Sequence, residues 1–467
     1  MVQHREALVQ SRSTKFPYRA GATRRDSGSG WPFHFTVGMT DSATRDRFRF
    51  TSRGGTPPLI VRSEGVELFT DDGRSIIDAA GGAVVNNIGH GRREVADAVA
   101  DAMRTLDYVV PIWPTPSRLA LTDVLAERWL PEGIDHVFFA GGGSEANDTA
   151  VRVARLYHLA RGDERRHKVI GRIPSYHGST LATLSIGGHE ARRDGFEPLL
   201  AEYPRVPWND ADALAGAIEA AGPETVAAFI AEPIVGAAGG ALIAPPDYWV
   251  QAMEVCREYG LLVIADEVMT GFGRTGLRWG HQHDGWSPDI LVAGKGLGGG
   301  YAPLSVVAAT ADVVEPIVEA GRNVMFFTYS AHDASCAGAL AVLDIMERES
   351  LIDRAATMGT RLQGALRDAL GGHANVADVR GRGLMIGVEL DGVASADVVA
   401  AALERGVWIY PAGSGPAVND GLLFAPPMVV QDHHIDRIVD VTRAALAAAV
   451  PGAAGHRAAG ARLVADG

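Results

Sequence analysis

Asp266 and Lys295 each stand at the end of a short apolar run. Leu261-Leu262-Val263-Ile264-Ala265 leads into Asp266, and Ile290-Leu291-Val292-Ala293 leads through Gly294 into Lys295. Runs of this length read as strands of a parallel sheet covered on both faces. In such sheets ligands lie at the carboxyl ends of the strands, so both side chains fall where a ligand would sit. A lysine amine can form a Schiff base with an aldehyde, and a carboxylate can pair with a protonated ring nitrogen. One of each, delivered by strand ends, suits pyridoxal 5′-phosphate.

Three more strand ends carry candidate groups. Asp135–Ala140 reads as a strand that runs into Gly141-Gly142-Gly143-Ser144-Glu145-Ala146-Asn147, which opens a helix to Ala160. A glycine turn feeding a helix N-terminus gathers free N–H groups and suits an anion. Ser144 could cap that helix and donate to a phosphate oxygen; a plain capped helix is the alternative. Lys168–Arg172 reads as a strand ending at Ser175-Tyr176-His177-Gly178-Ser179. There the ring of Tyr176 could stack on a flat heterocycle, or simply be buried. Val226–Ala231 is a further apolar strand, ending in Glu232.

The run Asp266-Glu267-Val268-Met269-Thr270-Gly271-Phe272-Gly273-Arg274-Thr275-Gly276, with Lys295 inside Gly294-Lys295-Gly296, resembles the signature of the class III aminotransferases, in their omega-aminotransferase branch. The resemblance runs from about Pro57 to Ala445. It implies an α/β chain of the PLP-dependent transferase fold type I: a mixed, mostly parallel seven-stranded sheet in a large domain, with a smaller α+β domain. It implies Lys295 and Asp266 as catalytic residues. Gly143, Ser144, Tyr176, His177, Glu232, Val268 and Thr328 are then cofactor-binding residues. Gly143 and Ser144 match the family's phosphate turn, with Gly142 where a serine is more common. Thr328, in Phe326-Phe327-Thr328-Tyr329-Ser330-Ala331-His332, matches a threonine that reaches the phosphate of the other subunit's cofactor, so a homodimer is implied.

On the substrate side the resemblance points to Trp113, Arg380 and Tyr410. Trp113 lies between two prolines in a loop that the family uses as a pocket wall; loop packing is the alternative. Arg380 matches an arginine that grips a substrate carboxylate in several branches, with a fork of donors suited to bidentate contact. Tyr410 stands near the place where some omega-aminotransferases carry a mobile arginine, and is followed by a Gly/Ser-rich insertion from Gly413 to Gly421. Ala237 stands where enzymes acting on ornithine or gamma-aminobutyrate carry a glutamate, which weighs towards the omega type. The implied reaction is a ping-pong transfer of an amino group from an amine or omega-amino acid to a keto acid such as pyruvate. The same lysine and aspartate also serve aminomutases, decarboxylases and lyases, which stay open as alternatives.

The 467 residues are enough for one large and one small domain with full cores. The expected division is a disordered arm over 1–40, an N-terminal segment over 41–100 that joins the small domain, a large domain over 101–335, the rest of the small domain over 336–450, and a tail. A net charge of −13 argues against a nucleic-acid partner. No run reaches the roughly 18 apolar residues of a membrane span. The first forty residues are rich in Arg and Ser but lack the apolar segment of a secretory signal; a transit peptide is the alternative to a disordered arm, and a cytoplasmic location is expected. The composition shift there also raises a start at Met39. The two cysteines, Cys256 and Cys336, give neither a disulfide framework nor zinc spacing, and no metal is expected. A dinucleotide-binding oxidoreductase is disfavoured because Gly141-Gly142-Gly143 is not followed by the required final glycine. A non-catalytic scaffold is disfavoured by the intact Asp266 and Lys295.

Overall fold

The apolar strands assemble into one seven-stranded sheet. Its order is Ile134–Ala140, Ser305–Thr310, Ile290–Ala293, Leu262–Asp266, Val226–Ala231, Lys168–Ile173, Arg205–Pro207. Six strands run one way and Ser305–Thr310 runs against both its neighbours. This computed structural model describes residues 57–413 and 420–450. The expectations for residues 1–40, for a start at Met39, for most of the insertion after Gly413 and for the tail lie outside the described residues.

The strands are apolar throughout because both faces are covered. Leu262 and Ile264 pack with Ala146, Ala150 and Val153 of the helix Gly143–Ala160. Val263 and Ala265 point the other way, into a cluster with Trp249, Ala252 and Cys256 of the helix Tyr248–Glu258. This alternation is the period-two geometry of a strand. Both cysteines are buried and unpaired, and burial pushes each thiol up to about 12.

A second, antiparallel sheet is built from Val376–Arg382, Met385–Leu390, Gly421–Phe424 and Tyr410–Ala412. Val376–Arg382 and Met385–Leu390 are the two arms of a hairpin. Helices Leu351–Leu370 and Asp432–Ala449 contribute to the largest apolar cluster, which also takes Leu291 and Ala293 from the seven-stranded sheet. A third sheet joins distant parts of the chain: Ile60–Glu64, Glu67–Thr70 and Ser75–Asp78 form a meander, and Ser75–Asp78 pairs in parallel with Val407–Trp408. Pro116–Val124 is α-helical and continues as a π-helical turn, Leu125–Trp129. No helix of the described residues is long and apolar enough to cross a membrane. Among the same residues no His, Cys, Asp and Glu cluster could hold a metal ion.

Candidate active site

Five parallel strands deliver their ends to one edge of the sheet. Ala140 leads to Gly143, Ile173 to Tyr176, Ala231 to Glu232, and the strand Leu262–Asp266 ends on Asp266 itself. Ile290–Ala293 leads to Lys295. The last two strands are neighbours, with Asp266 in register with Val292.

Asp266 is almost fully buried. Its Oδ2 accepts from His177 Nδ1 at 2.7 Å and from Asn147 Nδ2 at 2.9 Å, and its Oδ1 accepts from the Val268 amide at 3.1 Å. A carboxylate has about four acceptor positions, so one on Oδ1 stays open to a ligand. Asn147 also donates to the His177 carbonyl at 2.8 Å. His177 Nε2 and Asn147 Oδ1 are buried without a protein partner. Burying such groups is costly unless something pairs with them.

Lys295 opens a tight turn with φ at +41°, in the left-handed region that a lysine seldom adopts. Backbone strain of this kind collects at functional sites. The turn is fastened from outside, where Asn87 Nδ2 donates to the Gly296 carbonyl at 3.1 Å. Lys295 Nζ is partly buried and donates to the Ala83 carbonyl at 3.0 Å. Burial lowers its pKa from 10.5 to about 8; the charges of Asp266 and Glu232 oppose that shift, and those of Arg192 and Arg274 add to it. A lysine poised there is a usable nucleophile and base near neutral pH.

Glu232 is buried and accepts from the amides of Tyr176 at 2.9 Å and Gly236 at 3.0 Å. Burial pushes its pKa up. The helix Gly143–Ala160 begins after Gly142 with no side-chain cap, so its first N–H groups are open to an anion. Ser144, expected as the cap, sits instead inside the first turn and accepts from the Ser179 amide at 3.1 Å. That approach needs Gly178: with φ at +141°, a Cβ there would come within 2.6 Å of Ser144 Oγ. Val268 packs against Gly143, where a Cβ would lie 2.9 Å from Val268 Cγ1. The half-buried Tyr176 hydroxyl pairs with Ser179 Oγ at 3.0 Å.

An apolar wall adjoins the amine. Val84, next to the carbonyl that Lys295 contacts, clusters with Ala237, Met269, Met385, Ala412 and Tyr410. Arg380 lies behind it. Its Nε and Nη2 donate to the carbonyls of Gly240 at 3.0 Å and Gly239 at 2.9 Å. Its Nη1 pairs with Asp378 at 3.1 Å and with Glu389. Trp113 and Thr328 are both exposed, on loops that the buried Arg118 joins through the carbonyls of Val109, Val110, Trp113 and Ala331. Asn147 and Arg192 were missed by the sequence reading. Asn147 had a signal, since it lies four residues past Gly143 and so returns to the same helix face. Arg192 had none.

A buried carboxylate with one open acceptor position, an aromatic ring, an uncapped helix start and a depressed lysine together fit a flat, protonated nitrogen ring that carries an anionic group. The family model for aminotransferase class-III matches residues 50–446. An uncharacterized aminotransferase of Bacillus subtilis, YhxA, is 38% identical over 419 residues, covering 82% of this chain and 91% of the relative. The putrescine–pyruvate aminotransferase of Pseudomonas aeruginosa is 35% identical over 415 residues, covering 83% and 90%. Among solved structures, the omega transaminase from Pseudomonas jessenii in complex with PMP matches with a TM-score of 0.79 at 32% identity, covering 84% of this chain and 93% of the other.

Proposed function

The chain belongs to the class III aminotransferases, and from that premise we propose that it moves the amino group of an amine or omega-amino acid to a keto acid such as pyruvate, in two half-reactions on pyridoxal 5′-phosphate. The observation that carries the reading is the buried Asp266, held by His177 and Asn147 with one acceptor position open, on the strand beside the one that delivers Lys295.

Bound here, pyridoxal 5′-phosphate supplies a ring that accepts the electrons of a carbanion and carries the amino group between the two substrates. Asp266 holds a proton on the ring nitrogen, as a charge in a dry site can. His177 and Asn147 orient that carboxylate. Gly143, Ser144 and the open helix start would receive the phosphate, and Tyr176, Val268 and Glu232 would line the place of the ring. Lys295 Nζ would be the amine that joins the cofactor aldehyde and the base that moves the proton of the carbon bearing the amino group. On the substrate side we place Trp113, Tyr410 and Arg380, the last through the Gly239–Gly240 turn that its guanidinium holds.

We place the enzyme in the cytoplasm as a homodimer in which Thr328 reaches the partner's phosphate. An apolar patch supports the dimer. The rings of Tyr108 and Tyr329 meet edge-on at 6.2 Å, with Ile112, Trp113, Met325 and Phe326 exposed nearby. Patches of this kind mark interaction surfaces. Light scattering that shows a monomer under assay conditions would remove that role from Thr328.

The purified protein should show a visible absorbance band from the cofactor–lysine linkage. Borohydride should abolish the band and leave the cofactor mass on the Lys295 peptide. Lys295→Ala should transaminate at no measurable rate; near-normal turnover by that variant overturns the assignment.

A further inference from the structure

On the aminotransferase reading above, one half-reaction takes a keto acid, whose carboxylate must enter a site already lined by Asp266 and Glu232. Like charges repel in such a setting, so a cation has to meet the newcomer. The arginines around the site differ in what already holds them. Arg172 is buried and donates to the carbonyls of Trp208 and Glu232. Arg274 is buried and donates to those of Leu384, Pro426 and Asn86. Arg193 donates to the carbonyls of Leu184, Ser185 and Gly187. Arg380 has two carbonyls and two carboxylates.

Arg192 is different. Among the described residues its side chain has neither a hydrogen bond nor an ion pair. It is half-buried, and its guanidinium carbon lies 4.3 Å from the centre of the Tyr176 ring. A guanidinium over an aromatic face is held by the ring's π-cloud rather than by a hydrogen bond. Its N–H donors lie in the plane of the group and stay free for a carboxylate. The charge also reaches the reacting amine, since Arg192 helps to hold the Lys295 pKa down. Tyr410 packs in the apolar cluster with Val84 and Met385 and supplies no cation.

We propose that Arg192, anchored on the ring of Tyr176, receives the carboxylate of the keto-acid acceptor. It is a specificity residue: it selects acceptors that carry a carboxylate beside the carbonyl, while amine donors need no such group.

The test uses the cofactor-loaded enzyme with one amine donor and two acceptors, pyruvate and propanal. The readout is the ratio of kcat/KM for pyruvate to that for propanal. In Arg192→Gln the ratio should fall about tenfold to a hundredfold, the loss of one charge-assisted contact, with the change mainly in the KM for pyruvate. Arg192→Lys should restore part of it, since the charge returns without the fork. Calorimetric titration with propionate, which cannot react, should show binding weakened at least about tenfold in Arg192→Gln. An unchanged ratio, or a larger fall in Arg380→Gln than in Arg192→Gln, overturns the proposal. If the wild-type protein aminates neither acceptor, the aminotransferase reading itself fails, and the propionate titration still decides whether Arg192 binds a carboxylate.

Discussion

Asp266 and Glu267 are consecutive, both are buried, and each takes a histidine Nδ1 at 2.7 Å, from His177 and His281 respectively. Their surroundings differ in one respect. Glu267 accepts on Oε1 from the His281 amide and ring, and on Oε2 from the Gly280 amide and the Thr270 hydroxyl. All four of its acceptor positions are filled by the chain itself. Asp266 has three filled and one open, beside a histidine nitrogen and an amide oxygen that are buried without partners. The saturated carboxylate pins the loop that follows the strand; the unsaturated one is available to a ligand. Arg380 and Arg192 repeat the contrast with the sign of the charge reversed.

The contrast can be broken most directly by exchanging the consequences of two isosteric substitutions. Asp266→Asn should lower kcat by about 10²–10³-fold and, with one acceptor position already unfilled, move the urea midpoint less than the same change at Glu267. Glu267→Gln should do the reverse. It should lose about 3 kcal/mol of stability, because a buried pair loses one charged partner, while the folded fraction keeps kcat within a few-fold. Activity loss in Glu267→Gln exceeding that in Asp266→Asn would invert the assignment.

Removing the partners of Asp266 sharpens the same point. His177→Ala should weaken cofactor retention at least about tenfold, the worth of a hydrogen bond to a charge, and Asn147→Ala less, as read by equilibrium dialysis of the loaded enzyme. Next in size is the pH dependence of reloading. With the Lys295 pKa lowered to about 8, the free amine grows as pH rises through that value. The rate at which cofactor-free enzyme recombines with pyridoxal 5′-phosphate should rise through a midpoint near there rather than near 10.5. Removing the charge in Arg192→Gln should move that midpoint upward.

The smallest effect is in acid. Burial tends to raise the Glu267 pKa, but the bonds and charge of His281, with Thr270, outweigh it, so the value lies below the usual range. A depressed carboxylate stabilises the fold above its unfolded pKa, and that contribution is lost as pH falls through the folded value. Thermal midpoints measured from neutral pH downward should therefore fall less steeply in acid for Glu267→Gln than for the wild type.

The strand ends were legible because their signals are local. Leu261–Ala265 and Ile290–Ala293 announce buried strands by composition, and whatever follows them must lie at the sheet's edge. The glycine turn before Ser144 and the Tyr176-His177-Gly178 turn were legible for the same reason. The role of Ser144 as a cap was misread, because the helix begins two residues earlier than that cap would have it, with Gly142 in the capping position. Asn147 reaches Asp266 across 119 residues of chain, and no periodicity in either segment reports that meeting.

By itself, then, the sequence determined that a carboxylate and a lysine end neighbouring kinds of strand, since burial on two faces is written in five or six consecutive side chains. Only the tertiary structure decided which charges are already satisfied. Arg380 could be read as a carboxylate binder until the Gly239–Gly240 turn and Glu389 closed around it, and Arg192 carried no signal until Tyr176 came beneath it. Hydrogen-bond saturation depends on atoms brought together from distant segments, and composition along one segment cannot count them.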